Sequence, residues 1–108
     1  MAYSEELADR LREALQDRDD VREQRMFGGL AFMLHGHMAI AASGQGGVML
    51  RCAAADTAEH VAAGAERMVM RGRAMDGWLT IDGSALDDTA LDRWVAVAST
   101  YVDSLPPK

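Results

Sequence analysis

Few side chains in this sequence are suited to chemistry, and their spacing decides what each would do. His35 and His37 flank Gly36, and a His-x-His pair on one strand can turn both imidazoles toward a zinc ion. A closed zinc site takes four ligands, and Cys52 and His60 are the only other imidazole or thiol groups in the chain. The pair therefore reads as a polar hairpin tip. Cys52 with a neighbouring histidine would make a nucleophile and its base, but nothing in their spacing specifies such a pair. A lone cysteine at a strand end reads instead as a small buried hydrophobe. Gly44-Gln45-Gly46-Gly47 lacks the Gly-Lys-Ser/Thr of a phosphate loop and runs into a strand pattern rather than a helix, so it reads as a flexible hairpin. Asp82, Asp87, Asp88 and Asp92 lack the spacing of a calcium loop and fit a turn followed by a helix N-terminus. No catalytic residue, metal or cofactor is expected, and the chain does not read as an enzyme.

Two further groups bear on binding. Arg25, Arg51, Arg71 and Arg73 come from three segments of the middle of the chain. Converging on one sheet edge, they would make a site for a small anion, a nucleotide-like ligand or an acidic peptide; otherwise they are solvated or paired with the chain's own acids. Seven methionines besides Met1 lie between residues 26 and 75. Methionine fills irregular cores and also builds adaptable binding surfaces, and most of these are expected in the core. The apolar runs 30–34 and 38–42 are continuous enough that both sheet faces read as apolar, so a protein partner or a second copy is expected over the bare face. The binding candidates are Arg25, Arg51, Arg71, Arg73 and Met75.

The elements that position these residues are legible in the pattern. Residues 4–18 read as an amphipathic helix, with Ser4 as N-cap, Glu5 and Glu6 in the first turn, and Leu7, Leu11 and Leu15 on one stripe. From Val21 to Cys52 short apolar runs broken by glycine predict an antiparallel meander with strands at 30–34, 38–42 and 48–52. Gly28-Gly29 reads as a bulge or sharp bend, and Gly36 as a tight hairpin. Asp56-Thr57-Ala58-Glu59 is a capping-box pattern opening a short helix that ends near Gly64. Residues 68–70 and 77–81 predict two more strands, one at each side of the sheet, and Leu91, Val95, Ala98 and Val102 a last helix stopped by Pro106-Pro107. The order predicts an α+β two-layer sandwich: an antiparallel sheet with flanking N- and C-terminal helices, one domain over 1–108.

The run Arg25-Met26-Phe27-Gly28-Gly29-Leu30-Ala31-Phe32-Met33-Leu34-His35-Gly36-His37-Met38-Ala39 resembles the signature of the TfoX/Sxy family's N-terminal domain. The Arg51 strand, Gly72-Arg73-Ala74-Met75-x-Gly77-Trp78 and Leu91-x-x-Trp94 agree with it in order and spacing. The resemblance implies a fold similar to secretion chaperones and a stand-alone bacterial domain, without the C-terminal helical domain of the family's competence regulators. Those regulators assist the cyclic-AMP receptor protein at certain promoters, so the resemblance implies a noncatalytic, regulatory protein-interaction domain.

Composition narrows the partners. At 108 residues, 49% hydrophobic and 26% charged, the chain has the make-up of one globular domain. No apolar run reaches the roughly 18 residues that span a bilayer, the first residues lack the pattern of a secretory signal, and a single cysteine suits a reducing cytoplasm. The net charge is -6, with a surplus of acids in 1–21 and 74–108 and a slight surplus of arginine in 22–73. Binding to phosphate backbones draws on many basic contacts, so no direct nucleic-acid binding is expected. A mobility-shift titration with duplex DNA at physiological salt should therefore show no retardation at micromolar protein; salt-sensitive binding below that range would contradict it.

Overall fold

A computed structural model describes residues 3–26, 28–44 and 46–106. The expected strand residue Phe27, the loop residue Gln45 and the stop residue Pro107 lie outside the described residues. Helix α1 covers Glu5–Ala14, and its Ser4 cap accepts a hydrogen bond from the Leu7 N–H at 3.2 Å. It is shorter than expected because Arg18 is drawn into a different structure. The Arg18 guanidinium forks the carboxylates of Asp20 and Asp103 at 2.8 and 2.9 Å, which takes the chain out of the helix after Leu15.

Six strands follow: β1 (Val21–Met26), β2 (Gly29–Leu34), β3 (His37–Ala42), β4 (Val48–Arg51), β5 (Glu66–Met70) and β6 (Arg73–Ile81). Every neighbouring pair is antiparallel, and the order is β1-β2-β3-β4-β6-β5. Gly28 is not a bulge inside one strand but part of the turn between β1 and β2, which opens with Met26 opposite Gly29. The last two strands do not flank the sheet; both lie beyond β4. Leu79 and Ile81 of β6 are buried and need an interior slot, whereas β5 begins Glu66-Arg67 and suits the edge.

Between β4 and β5 a 3-10 turn at Ala54–Asp56 leads into α2 (Thr57–Ala62). The capping-box expectation fails there, since Asp56 makes no side-chain cap bond. Thr57 is buried instead, and its hydroxyl donates to the Ala54 carbonyl at 2.9 Å and accepts from the Gly77 N–H at 2.8 Å. Helix α3 (Asp88–Asp103) starts from the cap residue Asp87, whose carboxylate accepts from the Ala90 N–H at 2.8 Å. No helix among the described residues is long and apolar enough to cross a membrane.

All three helices pack on one face of the sheet. Leu7 and Leu11 of α1, Val95 and Val102 of α3, and Phe32, Ile40, Leu50 and Leu79 of the strands share one core, and the His60 ring of α2 stands edge-on to Trp94 with centroids 5.8 Å apart. Phe32 and Leu79 are 0% exposed. Truncating either to alanine should lower unfolding free energy by about 2 to 5 kcal/mol, seen as a shifted denaturant midpoint. An unmoved midpoint would place these side chains outside the core.

Candidate functional site

The face of the sheet that carries no helices is shaped by one break in its ladder. Strand β4 pairs with β6 only from Trp78 to Ile81, and the β5–β6 register slips between Arg67 and Met68, leaving Asp76, Gly77 and Trp78 unmatched on β5. Gly77 has φ +88, and a Cβ there would come within 3.4 Å of the Cys52 carbonyl oxygen. Beyond this bulge β5 and β6 continue as a two-stranded arm whose turn has positive φ at Arg71 and Gly72, as a twisted hairpin requires.

The arm forms one wall of a cavity of about 750 Å³ on this face. Its floor includes Ala41, Met49 and Thr80, which stand directly opposite one another in β3, β4 and β6. Met26, Met38, Met49, Met68, Met70 and Met75 all line it, together with Trp78. This corrects the expectation that most methionines fill the core, for among the described residues no methionine is in the buried core. The reason is the two-residue alternation of a strand: Met49 lies between Val48 and Leu50, which face the helices, so it faces away. The lining is largely apolar, with Glu66 and Arg67 as its charged members, and Arg67 is held by Asp76 at 2.9 Å.

The arginine candidates are dispersed. Arg25 is exposed on β1, at the opposite edge of the sheet from β5 with four strands between, while Arg71 and Arg73 are exposed together at the arm's turn. None of the three has an ion-pair or hydrogen-bond partner for its side chain among the described residues. Arg51 is engaged elsewhere: its guanidinium carbon lies 5.3 Å from the ring centroids of both Trp78 and Tyr101. The structure thus brings Met75, Arg71 and Arg73 to one arm and sets Arg51 against a cavity-lining tryptophan, but it does not gather four guanidinium groups around one anion.

The chemistry-bearing residues have structural tasks. Among the described residues no group of three or more His, Cys, Asp or Glu side chains is disposed to hold a metal ion. The hairpin tip is less polar in setting than expected: His37 is buried and its Nε2–H donates to the Pro106 carbonyl at 2.6 Å, while His35 Nε2 lies 3.2 Å from Asp103. Hydrogen bonding from Arg18 holds the Asp103 and Asp20 carboxyls below their ordinary range. Burial pushes the Cys52 thiol up, which disfavours the thiolate that a nucleophile needs. In the glycine-rich loop, a Cβ at Gly47 would fall 2.1 Å from the Ile81 carbonyl oxygen, so that glycine permits a close backbone approach to the end of β6.

Sequence reasoning missed the arm and the cavity. The sequence pattern starts a strand at Gly77, over 77–81, whereas β6 begins at Arg73 and holds Gly77 in its interior, a position where glycine commonly marks a bulge. Gly77→Val should cost about 1 to 2 kcal/mol from left-handed strain, measured by urea denaturation, and should shift the methyl resonances of Met68 and Met75. A variant with wild-type stability and unmoved methyl signals would show that the bulge does not set the arm.

The family model of the TfoX N-terminal domain matches residues 13–101. No curated protein and no solved structure matched the chain. The matched span runs from within α1 through all six strands to near the end of α3, and so includes the cavity and its arm. The chain belongs to the TfoX N-terminal domain family.

Proposed function

We propose that the protein is a noncatalytic protein-interaction domain with a regulatory role in the cytoplasm, and that the methionine-lined cavity with its arginine-tipped arm is the surface that receives a partner. The observation that carries this reading is the cavity lining itself. Six flexible, polarisable methionine side chains around one tryptophan can repack against partners of different shape, as adaptable protein-binding surfaces do. Arg71 and Arg73, exposed beside it, favour a partner with acidic residues flanking an apolar segment. The other reading, a binding module for a small anion or nucleotide-like ligand, draws no support from the scattered arginines.

Affinity capture with tagged full-length chain tests the proposal, using Met49→Glu in the cavity floor and the double substitution Arg71→Glu with Arg73→Glu on the arm. Each should reduce the captured partner severalfold. The arginine variant should keep its melting temperature, because exposed charges contribute under about 1 kcal/mol. Capture of the same proteins in the same amounts by both variants would overturn the reading.

A further inference from the structure

The two edges of the sheet differ in chemistry. β1 presents Arg22, Glu23, Gln24 and Arg25, all exposed, and Arg12 of α1 forks Glu23 at 2.7 and 2.8 Å. Charged side chains along an edge are a common guard against pairing with another strand. β5 carries charge only at its start, Glu66 and Arg67, and leaves Met68, Val69 and Met70 without such a guard. The exposed large hydrophobic residues among those described are both on it, Val69 at 65% and Met70 at 44%. Its backbone forms no ladder on the side away from β6. Beyond the Gly77 bulge the arm is a two-stranded ribbon, and such ribbons are marginal in water without a third strand. An open row of N–H and C=O groups with apolar flanks is complementary to an extended strand.

We propose that this strand is β5 of a second copy of the chain, paired antiparallel about a two-fold axis at Met68, so that two six-stranded sheets join into one. The pattern of charge selects both the partner and the register. Directly opposed residues of an antiparallel pair lie on the same sheet face, so a two-fold axis can sit only on a residue. On Met68 it sets Arg67 opposite Val69 of the other copy and Glu66 opposite Met70, and no charge faces its like. The aliphatic stem of Arg67 then covers the exposed Val69, and its guanidinium is already held by Asp76. On Val69 the axis would set Arg67 against Arg71, and on Arg67 it would set that residue against itself. The Met68 register also brings the two methionine-lined cavities side by side across the axis.

Sedimentation equilibrium from micromolar to near-millimolar chain should show a monomer–dimer equilibrium that Val69→Lys shifts to monomer, with the variant's thermal melt unchanged at this exposed position. Met68→Cys should form a disulfide-linked dimer under mild oxidation, since Cβ atoms paired in this way lie about 4.5 to 5.5 Å apart. Arg25→Cys on the guarded edge should not, and the native Cys52 is buried. A wild-type chain that stays monomeric throughout, or cross-linking by Arg25→Cys in place of Met68→Cys, would overturn the proposal. The result is separable from the cavity reading: a monomer whose partner capture is lost in Met49→Glu removes the dimer alone, and a dimer whose capture is indifferent to Met49→Glu removes the cavity reading alone.

Discussion

Phe32, Ile40, Leu50 and Leu79 stand directly opposite one another across β2, β3, β4 and β6, and all are buried. This row is where the sheet meets α1 and α3. Burying four large apolar side chains in one line supplies on the order of 1.5 to 3 kcal/mol each before entropy is counted, and the line must be unbroken for the helices to cover it. Continuity of the row explains why β6, which contributes Leu79, enters the interior of the sheet ahead of β5. It also dictates the opposite face. Since neighbours along a strand point in opposite directions, fixing Leu50 inward turns Met49 outward, and fixing Leu79 and Ile81 inward turns Trp78 and Thr80 outward. The floor of the cavity is the reverse side of the core.

What makes that reverse side concave is a junction of three backbone segments. The Thr57 hydroxyl accepts from the Gly77 N–H, the Cys52 N–H donates to the Gly77 carbonyl at 3.0 Å, and the left-handed conformation of Gly77 lets the strand change direction between them. The start of α2, the end of β4 and the bulge of β6 are therefore locked together. A buried hydroxyl satisfied on both its donor and acceptor sides is rigid as well as stable. It holds the base of an arm that is otherwise paired only with itself.

The opposite end of the molecule is closed by charge. Arg18, Asp20, Asp103 and His35 meet where the loop after α1, the β2–β3 hairpin and the end of α3 come together, and the His37 bond to the Pro106 carbonyl fastens the chain just past that helix. The acidic surplus of residues 74–108 thus includes one carboxylate, Asp103, that clamps two layers. The histidine pair, with spacing suited to a metal, serves as an anchor for α3 because its nearest carboxylate is already occupied by a guanidinium group.

Periodicity and capping carried much of the fold. The leucine stripe of α1, the cap residues Ser4 and Asp87, the meander strands and the spacing of Leu91 to Val102 are local patterns, and local patterns survive in the sequence because each stabilises its own element. The family, too, was legible, in motifs spread along the chain. Only the tertiary structure decided which side of β4 the last hairpin occupies, that Thr57 rather than Asp56 ties down α2, and that the methionines line an open cavity instead of the core. Those outcomes depend on competition between segments far apart in the chain for the same interior positions. A methionine has the same side chain in either place, and only the strand's phase relative to a distant helix determines which face it takes.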